Sequence, residues 1–231
     1  MVLAKYDFDI NGKTISNLLE QNEFVYFIPE FQRKVAWKAE FNQLLEDINE
    51  EFKNNPKAFY YIGSIISFVS DESSYQKQVI DGQQRLTSFV LLFRAYFDFV
   101  SDLKKSNKNI EGPALEDLDR EIDMAWDILF KSRMSSGEKD QNILGTSDTG
   151  GQKFLDAYIY KKNRQKEVAS DYEDTTEQEF IYYQALDFFK KLTSETTVIP
   201  KKLELLSKFI TYVLTKVKVA DVVAEDFKQA F

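Results

Sequence analysis

The chain of 231 residues contains neither cysteine nor histidine. Without cysteine there is no disulfide framework and no thiolate chemistry. Without either residue, zinc sites of the usual kinds cannot be built. A Ser-His-Asp triad and an HNH-type nuclease centre are excluded as well, since both need histidine. Any catalysis therefore depends on carboxylates, amides, hydroxyls, Arg, Lys, backbone N–H groups and Mg²⁺.

The chain also lacks an excess of positive charge and any long apolar run. Its formal net charge is −8 at pH 7, which argues against nonspecific coating of nucleic acid but permits a local basic groove. No apolar run reaches the roughly 18 residues that span a bilayer, and residues 1–10 do not resemble a secretory signal. We expect a cytoplasmic protein with no membrane association.

The apolar spacing predicts an α+β fold over the first hundred residues, with a small mixed sheet and the order helix, strand, helix, hairpin, helix. Mainly helical patterns follow, and residues 217–223 read as one more strand. We expect an α+β domain at 1–103 that carries the motifs. A mainly helical region at 104–231 should return to that core by the last strand. The sequence stops within an amphipathic segment, so we expect it to be part of a longer protein.

The sharpest motif is Asp81-Gly82-Gln83-Gln84-Arg85, where an apolar strand runs directly into a helix. A helix N-terminus favours an anion, and glycine permits a tight turn and close ligand approach. The guanidinium of Arg85 suits phosphate, and the two amides can orient a water or a phosphate oxygen. Asp81 can cap the helix, hold Mg²⁺ or position a nucleophile. An ordinary capped polar first turn explains the same residues equally well.

A phosphate site needs a second converging element, and two other segments supply candidates. Gln32 and Arg33 follow a predicted strand and precede a helix, although a solvated surface loop would look the same. Gly63 and Ser64 interrupt a strand, which is typical of a bulge or of a close ligand approach. Taken alone, a packing glycine is the simpler interpretation of Gly63. The segments support one site only if they converge in space.

Together these segments resemble the N-terminal domain family of GmrSD-type restriction proteins. The resemblance rests on Ile28-Pro29-Glu30-Phe31-Gln32-Arg33, Trp37, Tyr61-Ile62-Gly63-Ser64-Ile65 and Val79-Ile80-Asp81-Gly82-Gln83-Gln84-Arg85-Leu86-Thr87, in that order. It covers residues 28–87 by motif, and the helical remainder is similar to the family's layout. The resemblance implies a ParB/sulfiredoxin-like core in a bacterial, phage-defence setting. It also implies that the domain binds and hydrolyses a nucleoside triphosphate with Mg²⁺, or senses modified DNA.

The resemblance also implies roles for individual residues. The implied catalytic residues are Asp81, Gln83, Gln84 and Arg85, and the implied nucleotide-binding residues are Gln32, Arg33, Gly63, Ser64, Gly82, Arg85 and Thr87. The chemistry of its carboxylate, rather than the resemblance, makes Asp81 the candidate Mg²⁺ ligand. We assign no DNA-binding residue, because the lysine-rich stretches at 104–108 and 161–166 fit solvated charge between helices.

The chain departs from the family pattern at two positions. Phe31 stands where a tyrosine is common, and Val35 where an aromatic residue is common. The family tends to continue past this chain's last residue with a further motif and a nuclease half. We therefore expect the nuclease domain or a partner subunit to lie elsewhere, and the chain not to be a nuclease by itself. The alternative hypothesis is a non-catalytic module that binds DNA or a partner through the same cleft.

Overall fold

The computed structural model describes residues 11–19, 25–32, 36–69, 76–107, 110–131, 141–147, 149–159 and 176–224. Its strands are β1 (Asn11–Thr14), β2 (Val25–Ile28), β3 (Tyr60–Val69), β4 (Gln76–Asp81), β5 (Phe130–Lys131), β6 (Gln141–Asn142), β7 (Leu144–Thr146) and β8 (Val217–Ala224). Its helices are α1 (Ile15–Leu19), α2 (Ala39–Asn54), α3 (Gln83–Ser106), α4 (Pro113–Leu129), α5 (Thr149–Phe154), α6 (Thr176–Leu192) and α7 (Ile199–Lys216). A π-helical turn, Leu155–Ile159, continues α5.

Six of the strands form one mixed sheet in the order β1-β8-β3-β4-β2-β7. The β1–β8 and β3–β4 pairs are antiparallel, whereas β8–β3, β4–β2 and β2–β7 are parallel. Strands β5 and β6 form a separate two-stranded ribbon. The sheet thus combines strands from both halves of the chain, and β8 lies beside β3 near its centre.

Helix α3 is the centre of the core. Its 24 residues include buried positions all around the helix, among them the unbroken run from Leu86 to Phe97. A helix that is buried on every side must be surrounded by other elements, and α3 indeed packs against α4 and α6. No described helix combines the length and apolar character needed to cross a membrane.

The expected α+β fold with a mixed sheet is confirmed. The antiparallel β3–β4 pair is the predicted hairpin, although its turn at residues 71–74 lies outside the described part of the chain. The predicted last strand is β8, and Thr14 caps α1 as its position suggests, with its Oγ1 accepting a bond of 3.2 Å from the Asn17 N–H. Sequence patterns missed β1, β5, β6 and β7, because these strands have only two to four residues and lack the continuous apolar run that marks β2. The domain boundary near residue 103 and the ParB/sulfiredoxin likeness stay predictions.

Candidate functional site

The Asp81–Arg85 segment forms the junction between β4 and α3. Asp81 is the last residue of β4, and Gly82 occupies the N-cap of α3 with a φ of +90°. A Cβ at position 82 would lie 2.9 Å from the Ser64 carbonyl oxygen and 2.8 Å from a side-chain carbon of Ile65. Only glycine therefore fits the turn, because both the left-handed backbone and the neighbouring strand β3 reject a side chain.

No side-chain hydrogen bond caps the N-terminus of α3. The Asp81 side chain is exposed and makes no hydrogen bond or ion pair with any described residue, so the capping role open to it from sequence is not found. Gly82, Gln83 and Gln84 are buried. A long helix thus begins at a buried end, where the first N–H groups have no intrahelical acceptor.

Arg85 connects this junction to β3. Its Nε donates to the Ile62 carbonyl at 2.8 Å, and its Nη1 donates to the Ser64 carbonyl at 3.1 Å. The guanidinium also lies over the Trp37 ring, 5.3 Å from the ring centroid. Strand β4 ends opposite Ile66, so β3 has no β4 residue beside it at these carbonyls. The side chain of Arg85 supplies the missing donors.

The predicted interruption of β3 at Gly63 is a real irregularity. The register between β3 and β8 shifts between Tyr61 and Ser64, and Gly63 has a φ of +102°. A Cβ at position 63 would approach Arg85 Nη2 to 2.9 Å. The missing side chain leaves room for the guanidinium, and Nη2 makes no hydrogen bond to a described residue. Nor does any described carboxylate form an ion pair with Arg85.

The loop between β2 and α2 is fastened to the same junction. The Gln32 side chain donates from Nε2 to the Ile80 carbonyl at 2.5 Å, with the Val79 carbonyl at 3.4 Å. In return, Gln84 Oε1 accepts a bond of 2.8 Å from the Ala36 N–H. The glutamines of two separate motifs thus clamp one loop from both ends.

The three segments named from sequence therefore converge in space. Arg85 joins the α3 start to β3, and Gln32 joins the β2–α2 loop to β4. Thr87 lies one turn into α3, where its buried Oγ1 has no hydrogen-bond partner among the described residues. Arg33 lies outside the described residues, so its place in the site is not assigned.

Sequence reasoning did not anticipate that several of these side chains bind backbone groups. The described contacts of Gln32, Gln84 and Arg85 hold the junction together, and Trp37 supports Arg85 from its ring face. The order of the motifs signals their proximity, but nothing in a linear motif tells which atoms are bonded internally. Arg85 Nη2 and the Asp81 carboxylate make no described side-chain hydrogen bond or ion pair.

The site offers one carboxylate for a metal ion rather than a cluster. No group of three or more acidic residues that could hold a metal occurs in the described ranges. Mg²⁺ at nucleotide sites is commonly held by one or two carboxylates together with the substrate phosphates, and it retains several waters. The single exposed Asp81 suits that arrangement and does not suit a dedicated metal site built from protein ligands alone.

Comparison with known proteins gives one clear relationship. A search among curated proteins returned no match. The family model described as the GmrSD restriction endonuclease N-terminal domain matches residues 15–231, which is nearly the whole chain and includes all the residues of the junction. The chain therefore belongs to the family of GmrSD restriction endonuclease N-terminal domains.

Proposed function

We propose that this chain is a nucleotide-binding regulatory domain that hydrolyses a nucleoside triphosphate within a restriction-like, phage-defence protein that targets DNA. The family supports the defence setting. The proposal of nucleotide binding rests on the contacts of the Arg85 guanidinium. Its guanidinium is fixed by two neutral carbonyls and an aromatic ring, while its charge has no carboxylate partner among the described residues.

A fixed arginine beside a helix N-terminus is suited to phosphate. Two of the Arg85 nitrogens are engaged by carbonyls, so the side chain is held in one orientation before a ligand arrives, and Nη2 remains as a donor. Preorganised donors stabilise developing negative charge without rearrangement. The positive end of the α3 dipole acts on the same region. Both effects favour the triphosphate and the charge that develops during its hydrolysis.

Asp81 and the glutamines have separate proposed roles. The exposed Asp81 carboxylate would hold Mg²⁺ together with the phosphates, and the ion would neutralise charge on the phosphate oxygens. Gln83 and Gln84 border the helix start, where an amide can orient a water molecule. The contact of Gln84 with the Ala36 N–H gives it a second role in positioning the β2–α2 loop. Thr87 offers a buried hydroxyl next to the same turn.

The test is titration calorimetry of the chain with ATP, GTP and CTP, each with Mg²⁺. We expect at least one nucleotide to bind with a Kd below about 1 mM, which is the upper end of the KM values that enzymes ordinarily have. Asp81→Asn should weaken binding in the presence of Mg²⁺ by about tenfold while leaving the melting temperature unchanged, since the Asp81 carboxylate makes no hydrogen bond or ion pair with a described residue. Phosphate release by the wild-type chain then tests turnover.

Arg85→Ala removes the phosphate donor but also two structural hydrogen bonds, so it must be compared with a stability measurement. Arg120→Ala is the matched control, because Arg120 is exposed and its described contact is with Asp117 at 2.7 Å on the same helix. If the folded wild-type chain binds none of the three nucleotides, the proposal is wrong. Binding that is equally strong in Arg85→Ala and Asp81→Asn would place the nucleotide elsewhere.

The alternative hypothesis is a non-catalytic module that binds DNA or a partner through the same site. It makes a different prediction. It would give DNA affinity with a steep salt dependence, with no effect of nucleotide. In that hypothesis Asp81, Arg33 and Arg85 form a recognition or salt-bridge network. Arg85 binds two neutral carbonyls rather than Asp81, which counts against the salt-bridge form of that network.

A further inference from the structure

A second surface lies where β3 and β8 begin. None of its residues belongs to the set named for the β4–α3 junction. Tyr61 of β3 is the register partner of Lys218 of β8, so the two side chains lie on the same face of the sheet. Phe59 is two residues before Tyr61. The Phe59 ring lies 3.6 Å from the Lys218 Nζ and 4.8 Å from the Lys216 Nζ, measured to the ring centroid. We call these four residues the aromatic–lysine patch.

The two aromatic residues of the patch are unusually open to solvent. Tyr61 is 59% exposed and Phe59 is 57% exposed, the two highest values among the exposed large apolar side chains of the described residues. Isolated apolar side chains on a surface need no explanation. Phe59 and Tyr61 are both exposed and both lie beside lysines, so this surface combines aromatic rings with positive charge.

The two lysines of the patch have no acidic partner among the described residues. Seven lysines form ion pairs among the described residues, and three of these pairs are local, as that of Lys208 with Glu204 at 2.6 Å. Neither Lys216 nor Lys218 makes an ion pair with a described carboxylate, although the whole chain carries a net charge of −8. Two ammonium groups against one ring repel each other, and an anionic ligand would relieve that repulsion.

We propose that the aromatic–lysine patch binds single-stranded DNA, with a base stacked on Tyr61 and phosphates on Lys216 and Lys218, whose ammonium groups lie over the Phe59 ring. Exposed rings stack on bases that are unpaired, whereas the bases of a duplex are already stacked on each other. The patch therefore selects single strands. This inference does not depend on nucleotide hydrolysis in the cleft.

The test is fluorescence anisotropy of a labelled oligothymidylate of about 20 nucleotides, which is longer than one such platform covers, with a duplex of the same length for comparison. The wild-type chain should bind the single strand more tightly than the duplex. Tyr61→Ala should weaken the single-strand complex by about 5- to 100-fold through lost stacking. Tyr61→Phe should retain most of the affinity, because the ring remains.

The lysines are tested by Lys216→Gln with Lys218→Gln. This double variant should bind on the order of tenfold more weakly, and the slope of log K against log salt should be shallower by about 1.4, since each phosphate contact to a single strand contributes about 0.7. Lys201→Gln with Lys202→Gln makes the same change of charge near the opposite end of α7. That control should bind as the wild type does. Circular dichroism and thermal unfolding establish that each variant is folded.

Three results would overturn the proposal. One is the absence of single-strand binding at low salt. Another is an equal loss of affinity in the patch variant and in the control variant, which would show a general effect of charge. The third is binding of polyglutamate with the same dependence on Lys216 and Lys218, which would identify an acidic protein segment as the occupant.

Discussion

The guanidinium of Arg85 occupies the space that a side chain at position 63 would need. A Cβ at Gly63 would lie 2.9 Å from Nη2 and 3.1 Å from Cζ of Arg85. The end of a flexible arginine can usually move aside. Here it is bonded to the carbonyls of Ile62 and Ser64, so moving it breaks hydrogen bonds that hold the junction.

The chain offers a graded glycine series that tests this relationship. Gly63→Ala should lower the free energy of unfolding by about 2–4 kcal/mol, from the left-handed backbone and the loss of Arg85 contacts together. Gly112 has a φ of +65° but open space, so Gly112→Ala should cost about 1–2 kcal/mol. Gly12 has open space and no such φ, so its replacement should be nearly neutral. Urea denaturation measures all three, and equal losses at positions 63 and 112 would show that Arg85 imposes no constraint.

The two glutamines that clamp the β2–α2 loop should act together. Gln32→Ala and Gln84→Ala should each destabilise the chain by about 0.5–1.5 kcal/mol. Their double variant should cost less than the sum, because either loss frees the same loop. Hydrogen exchange of the Ala36 N–H should accelerate in Gln84→Ala, since that amide donates to Gln84. Gln43→Ala is the control, because Gln43 is exposed and bonded to Asp47, and additive losses would show that the two bonds are independent.

A buried ion pair inside the helical layer should be sensitive to the loss of one partner. Arg94 is completely buried and binds Asp98 with Nε at 3.1 Å and Nη2 at 2.8 Å, while its Nη1 donates to the Ile159 carbonyl at 2.8 Å. Asp98→Ala should cost about 3–5 kcal/mol, because the arginine loses its counter-charge. Arg94→Met with Asp98→Leu should cost less than Asp98→Ala alone.

The exposed pair of Lys208 and Glu204 is the control for that experiment. Lys208→Ala should change stability by at most about 0.5 kcal/mol, since solvent screens an exposed pair on a helix. Chemical denaturation monitored by circular dichroism measures each variant. If the variant with both Arg94→Met and Asp98→Leu is less stable than Asp98→Ala, Arg94 contributes more through packing than through charge.

The buried lysine of β4 predicts a pH dependence of stability. Burial lowers the pKa of Lys77 below its ordinary 10.5, the Lys13 charge lowers it further, and Asp221, with Oδ2 3.5 Å from Nζ, opposes the shift. Between the lowered pKa and pH 10.5 the unfolded chain binds more protons at this group than the folded chain does. The contribution of Lys77 to stability therefore increases with pH in that window.

This sign can be checked by comparison with Lys77→Met. The free energy of unfolding of the wild type, relative to the variant, should rise as the pH is raised toward 10.5. Titrations of groups that do not interact with Lys77 are shared by the two chains and cancel in the difference. A difference that falls with pH would mean that the attraction of Asp221 outweighs burial.

Local chemistry in the sequence was sufficient for the main elements. The apolar run from Leu86 onward identifies α3, because it gives a helix with a continuous buried surface. Asp81-Gly82 identifies the strand end and the turn, since few residues other than glycine accept the left-handed backbone found there. The β-branched and aromatic residues of 60–69, followed by a polar turn and a second apolar segment, identify the β3–β4 hairpin.

The pairing of strands that are distant in sequence could not be predicted from local sequence. Strands β1 and β7 acquire their conformation from partners more than 100 residues away, at β8 and β2. The contacts of Arg85 have the same origin. Its motif indicates a cation beside a helix start, but its two engaged nitrogens face β3 because β4 ends at Asp81.

The sequence by itself therefore determined the helices, the glycine turn and the set of polar residues at the junction, since these follow from side-chain volume, backbone freedom and apolar period. Tertiary structure alone decided which atoms of those residues are bonded internally and which remain for a ligand. The physical reason is that buried carbonyls such as those of Ile62 and Ser64 must be paired. Which side chain pairs with them depends on where a distant strand stops.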